Sequence, residues 1–296
     1  MGKHAYLIIA HNNWEQLQFL LDLLDDPRND FFLLIDAKAH DFDKESFIKS
    51  CPVKRIYFAD PIGIYWGDYT QILAELSLIK LAHSTGKYDY YHLVSAVDMP
   101  LRSQEDIHRF FEDNKGCEFV DYDSFESTSW AKERLQTYYY FQKLIGRRRH
   151  DPIKLLRDLL VRIQRAFGVN RVKDIEAYLG KGANWFSITG DFAGYIVENE
   201  QFIHEHFKQT YCADEVFIQT MLKMSPYRDN WYGFKDKDVQ YQNLRLTDWN
   251  RGKPYTFKKD EYFDLCDSSY LFARKFGSDI MSEDVISYLK DGGNVQ

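Results

Sequence analysis

Along this chain, short unbroken apolar runs alternate with longer stripes in which apolar residues recur at helical spacing. Residues 5–10 (AYLIIA) form the first run, brief and β-branched in part, the signature of a buried strand. Between Trp14 and Leu24, the side chains of Trp14, Leu17, Leu20, Leu21 and Leu24 share one helical face, and Pro27 and Asn29 break the pattern. Residues 31–36 (FFLLID) repeat the strand signature and end on Asp36. Strand, helix and strand at this spacing make a βαβ unit, which requires a parallel sheet with a right-handed crossover. A third strand is predicted at 54–59 and a helix over 69–83, carried by Ile72, Leu76, Ile79 and Leu81. A fourth strand, 90–96 (YYHLVSA), runs into Val97-Asp98-Met99-Pro100. Ser103 is placed to cap a helix through Phe111, with Glu105 and Asp106 in its first turn.

The first 115 residues therefore read as an open α/β sheet, in which ligands bind beyond the carboxyl ends of the strands. His11, Asn12, Asp36, Asp60 and Asp98 fall there. Residues 116–181 break the alternation. Their first part is polar and aromatic. From Lys143 to Lys173 the stretch is basic, with Arg147, Arg148, Arg149, Lys154, Arg157, Arg162, Arg165 and Arg171 beside Leu155, Leu156, Leu159, Leu160, Ile163 and Phe167 at helical spacing. Such a basic amphipathic helix either packs its apolar face on the body or meets an anionic membrane surface, and the first reading is preferred. Alternation resumes at 182, with a strand at Trp185–Ile188 and a helix around Phe192–Asn199. Over 214–224 a further helix is predicted, with Asp214 as N-cap and Glu215 in the first turn, where the helix dipole would keep Glu215 ionised. Arg245, Arg251 and Lys253 cluster near Trp249, and Arg274 and Lys275 follow in SYLFARKF. A last helix around 283–290 stops at Gly292-Gly293.

Composition narrows the class. With 296 residues, 45% hydrophobic and 28% charged, the chain supports a sizeable core, and wholesale disorder is excluded. A formal net charge of −7 argues against a general nucleic-acid binder. The 17% aromatic content suits stacking pockets for sugars and nucleotides, and core packing equally. Cys51, Cys117, Cys212 and Cys266 are widely spaced, which argues against a zinc site or a dense disulfide framework. The first apolar run is too short for a signal peptide, and nothing approaches 18 uninterrupted apolar residues. A cytoplasmic protein is expected, one that would meet a membrane only at its surface.

Eight segments together resemble glycosyltransferase family 14, the core-2 and I-branching β-1,6-N-acetylglucosaminyltransferases and the xylosyltransferases. They are AYLIIAHNN (5–13), FLLIDAK (32–38), IYWGDYTQILAEL (64–76), YYHLVSAVDMPLRS (90–103), GANWFSITGDFAGYIVEN (182–199), CADEVFIQTML (212–222), LRLTDWNRGKPYTF (244–257) and LFARKF (271–276), in the family's order. Only 116–181 lies outside the likeness, which is to the short bacterial members. The resemblance implies a single GT-A type, Rossmann-like domain with a mixed, mostly parallel sheet. Residues 1–115 would be its nucleotide-sugar half, 116–181 a variable basic insertion and 182–296 the acceptor and catalytic half.

The resemblance also implies inverting transfer from a UDP-sugar, most often UDP-GlcNAc and next UDP-xylose, to a saccharide acceptor. No divalent metal or other cofactor is implied: the strand end that carries a DxD motif in other GT-A enzymes reads SAVDMP here. By the same likeness Glu215 is the general base, and Arg245 and Lys275 neutralise the diphosphate, with Arg251 an alternative to Arg245. Ala10, His11, Asn12, Asp36, Tyr65, Trp66 and Asp98 fall on the donor side, and Glu133, Arg134 and Trp185 on the acceptor side. The expected setting is bacterial surface polysaccharide synthesis with a lipid-linked acceptor, residues 143–173 touching the inner leaflet. The competing reading from a different class is a non-catalytic nucleotide- or saccharide-binding module. A glycoside hydrolase is weaker, because it needs two carboxylates across one bond and the pattern offers one matched Glu with a cationic cluster.

Overall fold

A computed structural model describes residues 2–123, 129–148, 151–233 and 242–290. Its strands are β1 (His4–Ala10), β2 (Asn29–Ile35), β3 (Ile56–Phe58), β4 (Tyr90–Ser95), β5 (Asp98–Pro100), β6 (Phe119–Val120), β7 (Phe186–Thr189), β8 (Arg245–Thr247) and β9 (Phe272–Arg274). The helices are α1 (Trp14–Leu23), α2 (Lys44–Ser50), α3 (Thr70–Thr85), α4 (Gln104–Asp113), α5 (Ser129–Leu135), α6 (Gln142–Ile145), α7 (Pro152–Ala166), α8 (Gly190–Glu198), α9 (Glu200–Phe207), α10 (Phe217–Met224), α11 (Lys259–Cys266) and α12 (Glu283–Lys290).

Six strands form the central sheet in the order β3-β2-β1-β4-β7-β6. The pairs β3–β2, β2–β1 and β1–β4 are parallel, and β7 runs antiparallel to both β4 and β6. Both faces are covered, which is why the strands read as continuous apolar runs. Alternate residues serve opposite layers: Ala5 and Leu7 of β1 join Phe32, Leu34 and the buried faces of α3, α8 and α10, whereas Tyr6 and Ile8 join Phe31, Leu33 and residues of α1, α4 and α11. Ser103 caps α4 as expected, its hydroxyl accepting from the Asp106 N–H.

A second, three-stranded sheet, β5-β9-β8, was not foreseen from the periodicity. Asp98 lies in it, paired in register with Arg274. The helix predicted from 214 starts later. Residues Ala213–Glu215 form a separate 3₁₀ turn, α10 begins at Phe217, and Asp214 makes no cap. The glycine stop at 292–293 and Arg149 lie outside the described residues.

The basic segment departs furthest from the preferred reading. Helix α7 does form, with Asp151 accepting from the Ile153 N–H at its start. Its buried residues, however, are Arg157 and Val161, and Gln164 is tied to the body through its amide and the Tyr138 backbone, at 2.8 and 2.9 Å. Leu155, Leu156, Leu159, Ile163 and Phe167 are exposed. The apolar face does not pack on the domain.

Candidate active site

From β1 the chain steps outward to β2 and β3, then crosses back to β4 on the other side of β1. Strand order reverses between β1 and β4, and a crevice at that point is where an open α/β sheet binds its ligand. A cavity of about 480 Å³ lies there. Ala10, His11 and Asn12 enter it from the end of β1, Asp36 and Lys38 from the end of β2, and Ser95 and Ala96 from the end of β4. Asp36 is held by its own loop: its Oδ1 accepts from the Lys38 N–H at 3.0 Å and the Ile64 N–H at 3.3 Å, with the Lys38 ammonium 3.4 Å away.

The lining also includes Trp66, Gln71, Glu75, Asn184, Trp185 and three further cations, Arg147, Arg274 and Lys275. Arg274 is fixed from two sides. Its Nε donates to Asp98 Oδ1 at 2.8 Å, and its guanidinium lies 3.9 Å from the centre of the Trp185 ring. Asp98 is itself fully buried and accepts from the N–H and hydroxyl of Ser95 at 2.8 and 3.0 Å. Such a prearranged fork suits a phosphate group, and Lys275 beside it adds a compact charge. Burial, Arg274 and Arg147 lower the Lys275 pKa, and Asp98 works against them.

Glu75 begins a run of interacting acids that continues through Asp214 to Glu215. Glu75 is buried, hydrogen-bonded to Asn184, and its Oε2 has no partner among the described residues. Burial first, then the nearby Asp214, raise its pKa well above the usual carboxyl range. Asp214 accepts from Gln71 Nε2 at 2.7 Å, and burial with the charge of Glu215 pushes it up to about 7. Glu215, the base that the likeness implied, is half-buried next to Asp214, in the field of Arg134 and Lys181, and is not part of the cavity lining. Burial raises its pKa, the two cations lower it, and Asp123 raises it. The expectation that a helix dipole depresses it is thus corrected: the turn bearing it is separate from α10, and desolvation leads.

The core-2/I-branching enzyme family model matches residues 4–269. This chain belongs to that family. Xylosyltransferase 2 of Rattus norvegicus is 22% identical over 311 residues, covering 94% of this chain and 32% of the relative. The human β-1,3-galactosyl-O-glycosyl-glycoprotein β-1,6-N-acetylglucosaminyltransferase is 21% identical over 226 residues, covering 74% of this chain and 48% of the relative. The chain therefore spans about a third to about half of the length of these relatives. The mainly parallel six-stranded sheet flanked by helices is the GT-A-like architecture that this family membership brings.

Several residues named from the likeness to core-2/I-branching enzymes meet at the cavity: Ala10, His11, Asn12, Asp36, Trp66, Trp185 and Lys275. Others do not. Arg245 is buried behind β4 and β7, donating to Ser187 Oγ at 2.7 Å and to the carbonyls of Asn243, Phe186 and Leu93. Its guanidinium is committed to the sheet and is not part of the cavity lining. Arg251 is exposed and engaged by Asp248 and Glu261, so it does not replace Arg245. Asp98 is occluded and acts through Arg274. Tyr65 is not part of the lining; its ring lies 4.5 Å from the Lys38 ammonium and 4.9 Å from that of Lys143. Of the residues expected on the acceptor side, Arg134 stacks 3.5 Å over Trp130 and lies 4.7 Å from Tyr211, while Glu133 is exposed, and neither lines the cavity.

Sequence reasoning assigned no cavity role to Arg274, Arg147, Lys38, Gln71, Glu75 or Asn184. A signal existed for Arg274, which adjoins Lys275 in LFARKF. Glu75 sits at a helical position whose neighbours are apolar, a pattern that announces burial and not a site.

Proposed function

We propose that this chain transfers a sugar, GlcNAc by preference, from its UDP-sugar to a saccharide hydroxyl with inversion at the anomeric carbon and without a divalent metal. The observation that carries the reading is the cavity at the sheet's switch point, lined by a strand-end carboxylate, Asp36, paired with Lys38, and by three further cations, Arg147, Arg274 and Lys275. A uridine ribose offers hydroxyls to Asp36, and a diphosphate offers two negative charges to Arg274, Lys275 and Arg147. Arg274 replaces Arg245 in the role that the likeness implied. As the bond from anomeric carbon to phosphate breaks, charge grows on the leaving UDP, and fixed cations stabilise it without reorganising.

The acceptor hydroxyl must surrender a proton as it attacks. Glu215 takes it in this reading. Its raised pKa strengthens it as a base near neutrality, and Arg134, stacked on Trp130, holds a positive charge in its field. Synthesis of bacterial surface polysaccharide in the cytoplasm is the setting we favour.

Release of UDP from UDP-GlcNAc in EDTA, with a panel of saccharide acceptors, is the test. Glu215→Gln is expected to cost about 100- to 10,000-fold in turnover while UDP still binds. The acid limb of kcat/KM in the parent should lie above the ordinary glutamate range, since deprotonated Glu215 is the active form. Full activity of Glu215→Gln removes it as base. Loss of activity in EDTA removes metal independence. Donor binding without transfer to any acceptor favours a binding module.

A further inference from the structure

Helix α7 is amphipathic the wrong way round for a monomer in water. Its inward side carries Arg157, which donates to Gln142 and lies over the rings of Tyr139 and Tyr211, with Val161 and Gln164. Its outward side carries Leu155, 74% exposed, then Leu159, Ile163, Leu156 and, just past the end, Phe167 at 83%. Eight of the thirteen large hydrophobic side chains exposed among the described residues lie between Tyr140 and Phe167. A surface helix normally turns that face to the core, and an exposed apolar stripe of this size marks an interaction surface.

Charge identifies the partner. Residues 143–173 hold ten Lys or Arg and two Asp, a formal charge of +8, in a chain of −7; everything outside the segment therefore sums to −15. Around the helix, Lys154, Arg162 and Arg165 line one flank of the leucine stripe, and Arg147 and Arg148 are exposed just before it. An apolar face of about 22 Å (15 residues at 1.5 Å each) bordered by cations fits the boundary between headgroups and acyl chains of an anionic bilayer. The acidic remainder of the protein is repelled by the same surface, so only one orientation is favoured.

We propose that α7, with the preceding Leu144, docks this protein on an anionic lipid surface. The basic segment that precedes α7 reaches the cavity. Arg147, which lines it, lies 5.5 Å from the Trp66 ring, and Lys143 lies 4.9 Å from that of Tyr65. Docking thus brings the cavity's Arg147 side to the membrane, where an acceptor carrying a lipid anchor would be presented. This does not depend on the sugar-transfer reading.

Sedimentation of the full chain with large unilamellar vesicles tests it. With phosphatidylglycerol in phosphatidylcholine, the protein is expected in the pellet at low salt, and largely in the supernatant with phosphatidylcholine alone or at high salt. Leu155→Glu/Leu159→Glu, both at exposed positions, should lower partitioning about tenfold or more with the melting temperature and UDP affinity unchanged. The proposal is overturned by an absence of binding to phosphatidylglycerol vesicles, by equal binding to neutral ones, or by undiminished binding of the double variant. It is also overturned if the parent is a dimer by analytical ultracentrifugation and the double variant a monomer, since the stripe would then be covered by a second copy.

Discussion

Strands β8 and β9 lie side by side in parallel register, and each bears an arginine, yet the two side chains live in different chemistry. Arg245 opens β8 opposite Phe272, and Arg274 closes β9 opposite Thr247. Two residues of strand rise separate their levels, roughly 7 Å. At the lower level the guanidinium meets the carbonyls of β4 and β7 and a hydroxyl, all buried. At the upper level the strands have ended, the space beyond them is the cavity, and a carboxylate and an indole hold the guanidinium at its wall. A basic residue near a site in sequence is therefore not yet a basic residue in the site. The depth at which its strand places it decides whether it carries structure or ligand.

The comparison can be broken most directly at Arg245. Arg245→Met should lower unfolding stability by about 3–5 kcal/mol, because it strips partners from buried carbonyls and Ser187. Urea denaturation should show this, while UDP affinity per folded molecule stays unchanged. A weakened UDP affinity at unchanged stability would return Arg245 to the diphosphate. Lys275→Ala is the mirror experiment. Turnover should fall about 100- to 1000-fold with little change in the melting temperature. A fall in stability without loss of turnover would move Lys275 to the structural side.

The smallest effect sharpens the account of the buried level. Ser187 Oγ joins Arg245 to His92, His92 reaches His4 at 3.1 Å, and His4 stacks on His108 at 4.0 Å. Burial leads in lowering all three histidine pKa values, that of His108 to about 4. Below pH 6.5 the unfolded chain takes up protons that the folded one refuses, so these groups withdraw stability as pH falls towards their native pKa values. His108→Gln should flatten that acid slope by roughly 1.4 kcal/mol per pH unit between about 6.5 and 4, read from urea midpoints against the parent. The difference between the two proteins isolates the histidine from Glu118 and Asp214. Their raised pKa values act in the opposite sense, stabilising the fold at low pH and losing that contribution as pH climbs through about 8 and 7.

Long-run periodicity made the parallel half of the sheet legible. Strands buried on both faces are short, apolar and bounded by breakers, and topology alone then puts Ala10, His11, Asn12 and Asp36 at their carboxyl ends. The small sheet was not legible, because three-residue strands have no period to read and Asp98 meets Arg274 only through tertiary pairing. The start of α10 was misjudged because Asp214 is a good cap by residue type, whereas here its carboxyl is drawn to Gln71. Amphipathicity located both faces of α7 correctly. Which face turned inward was settled by Arg157 and Gln164 finding partners on the body, something a helical wheel does not contain.

The pairing of Asp98 with Arg274 bridges 176 positions of chain. No fragment emerging from a ribosome possesses the cation wall until β9 has been made and has found β5, however early the parallel strands associate. Closing so wide a loop is entropically costly and slow to reward. The buried carboxylate and the guanidinium it holds at the cavity therefore come together only when both ends of that loop are present and paired.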